Sequence, residues 1–197
     1  MMVKAYYDKH ANDFAARTID ADMSHLYRKF EKHLHKHDKI LDLGCGSGRD
    51  SLYFKNQGYH VTVLDFSKNL AKIASQTLGQ PVLVQDMREL DYTDHFNAIW
   101  ACASLLHISK HEIHHVFQCC KVALKEQGIL LASFKLGDKE IVTRGRLFAF
   151  YNQKTLTSLI NTVGGFNILD MFITPDARTD RKREDWLVAI IQKVEKK

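Results

Sequence analysis

A glycine-rich segment, Asp42-Leu43-Gly44-Cys45-Gly46-Ser47-Gly48, follows a short apolar run and precedes a helix-like stretch. Glycines at such a turn let the backbone adopt positive φ and approach a ligand closely. The next two apolar runs end in Asp65 and in Asp86-Met87. A carboxylate at the first position can accept hydrogen bonds from ribose hydroxyls, and a carboxylate beside an apolar side chain suits an adenine. The spacing therefore predicts an adenosine-like ligand.

The glycine spacing argues against a dinucleotide. The dinucleotide fingerprint is GxGxxG and directs a helix N-terminus at a pyrophosphate. Here the spacing is GxGxG, Arg49 stands where the last glycine would, and Asp42 lies two residues before Gly44. A carboxylate beside the loop repels pyrophosphate and attracts an ammonium or sulfonium group. We therefore expect a cationic adenosine ligand rather than NAD.

Positioning these residues requires a particular fold. The predicted strands cover 39–44, 60–65, 81–86, 96–103, 128–134, 166–174 and 185–194, and the predicted helices cover 49–57, 67–78, 110–124 and 155–163. This alternation predicts a doubly wound, mostly parallel α/β sheet with helices on both faces. The last two strands are joined without a helix, so the last strand should run antiparallel. Residues 1–38 are expected to form a helical N-terminal extension to one domain at 39–197.

DxGxGxG, with Asp65 and Asp86 at the next strand ends, resembles the class I S-adenosylmethionine-dependent methyltransferases. The segments ILDLGCGSGRDS (40–51), IWACASLLHIS (99–109) and SFKLGDKE (133–140) are similar to a bacterial branch near the tellurite-resistance and small-molecule methyltransferases. The resemblance implies a Rossmann-like sheet with strand order 3-2-1-4-5-7-6. It also implies S-adenosyl-L-methionine as cofactor and S-adenosyl-L-homocysteine as product.

The same resemblance implies roles for individual residues. The methionine part of the cofactor would be lined by Gly44, Cys45, Gly46 and Gly48, with Asp42 holding the loop or meeting the amino group through water. Asp65 would bind the ribose, Phe66, Asp86 and Met87 would surround the adenine, and Ala101 and Cys102 would pass under the methyl group. Tyr7 and Arg17, from the N-terminal extension, would cover the site as a lid.

Candidates for the acceptor side come from the loops at the same sheet edge. His107 can take a proton from the acceptor or orient it, and the alternative is that it caps the next helix. Lys135, Arg144, Arg146 and Arg178 can bind a carboxylate or phosphate, as could Arg181 and Arg183 of the same late loop. Acidic neighbours such as Asp176 and Glu184 leave a salt-bridged loop as the alternative.

Composition narrows the function classes. The net charge of +5 and pI near 9.0 admit nucleic acid, acidic lipid or an anionic small molecule as partner. Four cysteines without a CxxC pair, no membrane-length apolar run and no signal-like start favour a cytoplasmic protein without membrane contact. HExxH at 111–115 and the alternating His33, His35 and His37 are interpreted as solvated surface, so no metal is expected.

The favoured function is methyl transfer to a small acceptor, either anionic or with a soft sulfur, selenium or tellurium atom, by a monomer or homodimer. The strand end Ala101-Cys102-Ala103-Ser104 lacks the prolines typical of enzymes that methylate base amines, so nucleic acid is not the favoured partner. Two alternatives stay open. One is an RNA or protein methyltransferase, suggested by the pI, and the other is a non-catalytic cofactor-binding module.

Overall fold

The computed structural model describes residues 2–178 and 184–194. Its main sheet has seven strands in the order β3-β2-β1-β4-β5-β9-β8. These strands are β1 (Lys39–Leu43), β2 (His60–Asp65), β3 (Leu83–Val84), β4 (Phe96–Ala101), β5 (Leu124–Lys135), β8 (Phe166–Pro175) and β9 (Asp185–Lys193). The predicted strand order is confirmed.

The direction of the last strand also follows the prediction. Strands β1 to β5 pair in parallel, whereas β9 is antiparallel to both β5 and β8. The register places Leu131 of β5 opposite Ile190 of β9. Both residues are fully buried, because the central strands are covered by helices on both faces.

Four helices cover the sheet: α4 (Arg49–Asn56), α5 (Lys68–Leu78), α6 (Ile113–Ala123) and α7 (Gln153–Val163). Helix α5 begins at the N-cap Ser67, whose side chain accepts a hydrogen bond from the Leu70 N–H, and ends at Gly79 in the left-handed conformation. Helix α7 begins with a capping box formed by Asn152 and Thr155. These helices match the predicted ones to within a few residues at each end.

A β-hairpin follows β5, where the sequence analysis placed only a loop, and that prediction was wrong. It consists of β6 (Glu140–Thr143) and β7 (Arg146–Ala149), which pair antiparallel outside the main sheet. The turn between them is Arg144-Gly145, and both residues have positive φ. Four-residue strands give too short an alternation to distinguish from a loop in the sequence. The hairpin therefore places Arg144 at a turn and Arg146 on a strand.

The N-terminal extension forms three short helices: α1 (Met2–Lys9), α2 (Ala11–Thr18) and α3 (Ser24–Glu31). Helix α3 buries Leu26, Tyr27 and Phe30 in a core cluster with Trp100 of β4. Helices α1 and α2 instead pack on α5 at the carboxyl edge of the sheet, and α1 also contacts β7. The extension thus has one part fixed in the core and one part lying over the glycine-rich loop.

Candidate cofactor and acceptor site

The glycine-rich loop joins β1 to α4 at the carboxyl edge of the sheet. Gly44, Gly46 and Gly48 have φ values of 86°, 57° and 82°, which other residues adopt only with strain. The backbone N–H groups of Gly44 and Cys45 both donate to the Leu64 carbonyl, at 2.8 and 3.0 Å. A Cβ at Gly44 would lie 2.6 Å from the Ser104 Cβ, so this position has no room for a side chain. The loop is held close to β2 and to the segment after β4.

Asp65 fastens the loop to the end of β2. Its carboxylate accepts hydrogen bonds from the N–H groups of Gly46 and Ser67, both at 2.9 Å. Burial raises the pKa of Asp65 to about 6, although those hydrogen bonds act in the opposite direction. A carboxylate with two such donors retains lone pairs for further hydroxyl donors.

Two more buried carboxylates lie behind the loop. Asp42 accepts a 2.5 Å hydrogen bond from the Ser51 hydroxyl, and burial, with the charge of Asp50 as the next cause, raises its pKa to about 8. Asp50 receives hydrogen bonds from Arg49, Tyr27 and the Trp100 indole, and these offset its burial and hold its pKa below the usual range. Because Arg49 balances the charge of Asp50, Asp42 is the carboxyl of these two whose ionised form a cationic ligand would favour.

The predicted adenine end lies beside the loop. The Asp86 carboxylate accepts two hydrogen bonds from the Arg88 guanidinium, at 3.0 and 2.6 Å, and Arg88 also binds Glu112 at 2.9 Å. The Met87 Cε lies 3.7 Å from where a Gly44 Cβ would be. Phe66 is half-buried in an apolar cluster with Tyr7 and Leu70. The Arg88 backbone N–H also donates to Asp86 Oδ1, so only Oδ2 of Asp86 has a lone pair left for a further donor.

A cavity of about 290 Å³ opens between the glycine-rich loop and the hairpin. Nine of the residues predicted for the site line it: Tyr7, Gly44, Cys45, Gly46, Cys102, His107, Lys135, Arg146 and Arg178. Asp42, Gly48, Asp65 and Ala101 are buried outside that lining, and Phe66, Asp86 and Met87 are partly buried outside it. Arg17 and Arg144 are exposed and also lie outside it.

His107 lies in the cavity wall with both ring nitrogens engaged. Its Nδ1 is 2.7 Å from the Leu147 carbonyl oxygen, which can only accept, so Nδ1 carries the proton. Its Nε2 therefore accepts the hydrogen bond from the Tyr7 hydroxyl, also at 2.7 Å. Burial lowers the pKa of His107 to about 4, so the ring is neutral near pH 7. Tyr7 and His107 therefore form one hydrogen-bonded pair in the cavity wall.

The predicted cationic residues fall into different environments. Lys135 forms an ion pair with Glu184 at 2.5 Å, and Arg178 one with Asp176, also at 2.5 Å. Arg146 packs against two aromatic rings, with its Cζ 4.2 Å from the Tyr6 ring centroid and 4.9 Å from that of Phe148. Arg181 and Arg183 lie outside the described residues. Arg146 therefore differs from Lys135 and Arg178 in having aromatic neighbours in place of a carboxylate partner.

Several lining residues were missed by the sequence reasoning. Asp50 follows the loop directly, but nothing in a single sequence shows that it receives four hydrogen bonds from Tyr27, Trp100 and Arg49. Phe14, Ser133 and Trp186 come from separate elements that only the folded topology brings together. Of these residues, only Asp50 could have been suggested as a site residue, from its position directly after the glycine-rich loop.

Side chains of the HExxH segment bind neighbouring residues of the chain. Glu112 pairs with Arg88 and accepts a 2.9 Å hydrogen bond from the Ser109 hydroxyl, while His115 Nε2 lies 3.0 Å from the Arg88 carbonyl. Within residues 2–178 and 184–194, no group of three or more His, Cys, Asp or Glu side chains is arranged to hold a metal ion. In the same residues no helix has the length and apolar character that crossing a membrane requires.

Comparison with known proteins identifies the class of this fold. Residues 40–128 match the family model described as a methyltransferase domain. The chain has the class I methyltransferase fold, and the predicted resemblance to S-adenosylmethionine-dependent methyltransferases is confirmed.

Individual relatives agree with this class. YqeM of Bacillus subtilis, a presumed methyltransferase, is 34% identical over 62% of this chain and 56% of its own length. TehB of Haemophilus influenzae, a probable S-adenosyl-L-methionine-dependent methyltransferase by name, is 26% identical over 42% of this chain and 31% of its own. The chain thus spans about half the length of the first curated relative, YqeM.

A solved structure extends the likeness to nearly the whole chain. The 1,6-didemethyltoxoflavin-N1-methyltransferase of Burkholderia thailandensis, determined with 1,6-didemethyltoxoflavin and S-adenosylhomocysteine, superposes with a TM-score of 0.82. The match covers 98% of this chain and 87% of that one, at 22% identity. At that identity the likeness concerns the fold, and it includes the N-terminal extension.

Proposed function

We propose that this protein transfers a methyl group from S-adenosylmethionine to a small acceptor held in the cavity between the glycine-rich loop and the hairpin. The observation that carries the proposal is the continuity of that cavity. Its lining runs from Gly44 and Gly46 of the loop to His107, Lys135 and Arg146. A cofactor on the loop and an acceptor beside the hairpin would therefore share one enclosed space.

The residues around the loop fit a cationic, hydroxyl-bearing cofactor. Asp42 and Asp65 are buried carboxylates whose pKa values burial raises, and a positive ligand would favour their ionised forms. The Ser104 hydroxyl next to Gly44 is buried without a hydrogen-bond partner among the described residues. When bound, S-adenosylmethionine supplies an activated methyl on a sulfonium that needs no further activation by the protein.

The protein's own contribution is alignment and the handling of a proton. Holding the methyl donor and the acceptor in line can lower the activation barrier by about 7–11 kcal/mol. Tyr7 lines the cavity, and its hydroxyl donates to the lone pair of His107 Nε2. An acceptor hydroxyl or amine can pass its proton to the Tyr7 oxygen while the Tyr7 proton moves to His107 Nε2. His107 is then cationic and still donates from Nδ1 to the Leu147 carbonyl. A soft sulfur, selenium or tellurium acceptor needs little of this assistance.

A small acceptor suits the way the cavity is covered. Tyr7 and Phe14 of helices α1 and α2 line it from above, and the hairpin closes its side. An RNA or protein substrate would require an open, continuous basic groove. Three of the four arginines and lysines that line the described cavity are instead paired with carboxylates of this chain.

Calorimetry followed by a substrate screen tests the proposal. S-adenosylhomocysteine should bind to the wild type, and Asp65→Ala should weaken this binding by about tenfold or more, since charge-assisted hydrogen bonds contribute about 1.5–3 kcal/mol. Thiols, tellurite and acidic metabolites are then offered with S-adenosylmethionine, and released S-adenosylhomocysteine is measured. Absence of cofactor binding in the wild type would refute the proposal. Binding without turnover, with salt-dependent RNA binding, would favour the RNA alternative.

A further inference from the structure

Arg146 is held in the cavity wall without an anionic partner. Its guanidinium lies against the rings of Tyr6 and Phe148. The Nε atom is buried and has no hydrogen-bond partner among the described residues. No carboxylate of those residues lies within 4.0 Å of the guanidinium. A buried charged donor without a partner is unfavourable, and a ligand that supplies an acceptor removes this penalty.

The other cations of the cavity lining differ from Arg146. Arg49 is paired with Asp50, Lys135 with Glu184 and Arg178 with Asp176. Within the described lining, Arg146 is therefore the cation whose charge no carboxylate of the described residues balances. One uncompensated positive charge in a partly buried site calls for one negative charge on the ligand.

We propose that Arg146 and Tyr6 form a subsite for a carboxylate group of the methyl acceptor. This inference rests on the proposed function and names its substrate class, a small carboxylic acid. Two aromatic rings contact the guanidinium, and no carboxylate of the described residues occupies its hydrogen-bonding edge. The guanidinium fork can pair with both carboxylate oxygens.

The subsite couples acceptor binding to the N-terminal helix. Tyr6 lies on α1 directly before Tyr7, whose hydroxyl binds His107. The same helix therefore supplies one wall of the anion subsite and the polar group that faces the acceptor. Docking of α1 completes both at once.

A rival explanation is that Arg146 binds the carboxylate of the cofactor itself. The two explanations predict different losses. If Arg146 binds the cofactor, its substitution weakens S-adenosylhomocysteine but not 5′-methylthioadenosine, which lacks the amino-acid carboxylate. If Arg146 binds the acceptor, both cofactor analogues keep their affinity.

The test uses calorimetry on the full chain with benzoate and inorganic phosphate as probes, with and without saturating S-adenosylhomocysteine. Arg146→Gln is compared with Arg144→Gln, which makes the same charge change at the exposed turn of the same hairpin. We expect the wild type and Arg144→Gln to bind benzoate more tightly than phosphate. Arg146→Gln should weaken benzoate by about tenfold or more, the effect of losing a charge-assisted pair. Arg146→Lys, a second variant that keeps the charge but loses the fork, should show an intermediate loss.

Each contrary result has a defined meaning. Equal loss in both arginine variants would show a long-range charge effect and overturn the subsite. So would phosphate binding as tightly as benzoate, or no benzoate binding by the wild type. Loss of S-adenosylhomocysteine alone in Arg146→Gln would assign Arg146 to the cofactor. Failure of the wild type to bind S-adenosylhomocysteine would refute the proposed function, whereas benzoate binding without it would still test the subsite.

Discussion

The two walls of the cavity are built in different ways. The loop wall, residues 42–50, is fixed by buried polar contacts: Asp65 to the Gly46 N–H, Ser51 to Asp42, and three side chains to Asp50. The lid wall consists of α1, α2 and the β6–β7 hairpin. Its hydrogen bonds to the rest of the chain are partly buried or exposed. They join Tyr7 and the Leu147 carbonyl to His107, Asp8 to Ser67 and Asn69, and the Thr18 carbonyl to Arg49. One wall is preorganised, and the other depends on docking of a short helix.

This difference assigns a separate task to each wall. A preorganised wall does not have to be ordered when the ligand binds, which favours tight binding of one constant ligand. A wall of short helices whose hydrogen bonds are partly exposed can open to admit and release molecules, since such segments open at lower free-energy cost than a buried core. The loop wall therefore suits the cofactor, and the lid wall suits the acceptor.

The largest effect is expected from breaking the network behind the loop wall. Asp50→Asn leaves the Arg49 guanidinium without a counter-charge in a mostly buried site. Removing one partner of a buried ion pair lowers the free energy of unfolding by about 3–5 kcal/mol. Urea denaturation of the variant and the wild type would measure this loss. Asp170→Asn, at the half-exposed pair with Lys29, should cost about 1 kcal/mol or less. Similar losses in both variants would mean that the loop wall is no more rigidly held than the surface.

A smaller effect, on turnover alone, should follow from breaking the lid wall at Tyr7. Tyr7→Phe and His107→Asn each remove the hydrogen bond between these residues, and the asparagine can still donate to the Leu147 carbonyl. For a hydroxyl or amine acceptor, kcat should fall by about 100-fold in each variant. Because the two residues act as one unit, the double variant should be no slower than the single ones.

Tyr53→Phe is the matched control for the lid-wall prediction. Its hydroxyl binds Glu31 at 2.9 Å, away from the cavity, so kcat should stay unchanged. Multiplicative losses in the Tyr7 and His107 double variant would show that the two residues act independently and that the proposed proton relay from Tyr7 to His107 is wrong.

An effect of about tenfold or more on cofactor affinity is expected at Gly44. Alanine there meets positive φ and a Cβ position 2.6 Å from the Ser104 Cβ, so the loop must shift. Gly79→Ala provides the comparison, because Gly79 also has positive φ but no atom within 4 Å of its Cβ position. It should cost about 1 kcal/mol of stability and leave the affinity for S-adenosylhomocysteine unchanged. Equal affinities for the two variants would contradict a close-packed loop wall.

The loop wall was the more predictable of the two walls. Its glycines directly follow β1, Asp65 ends β2, and Asp86 follows β3. The alternation of strands and helices places these strand ends at one edge of the sheet. The strand order and the reversed β9 followed from the same pattern and a family resemblance.

The lid wall was harder to predict because its contacts join distant parts of the chain. Tyr7 and His107 are one hundred residues apart, and their hydrogen bond has no local signal. The hairpin strands are four residues each, too short for a reliable alternation. Arg144 and Arg146 therefore looked equivalent in sequence, although a turn exposes one and a strand directs the other to the cavity.

The last expected effect concerns the charge preference of the loop wall and depends on pH. Burial raises the pKa of Asp42 to about 8, whereas in an unfolded chain it is about 3.9. A raised pKa in the folded state means that this carboxyl contributes stability fully below pH 4 and loses it as pH rises to about 8. Asp42→Asn removes that loss, so the gain in Tm over the wild type should be small at pH 5 and larger at pH 8. Thermal melts at both pH values measure the gap.

S-adenosylmethionine should narrow the gap at pH 8 more than S-adenosylhomocysteine does, because only the former brings a sulfonium charge to the buried carboxylate. A gap that stays constant with pH would show that Asp42 ionises normally, and the loop wall would then have no preference for a cationic ligand from this residue.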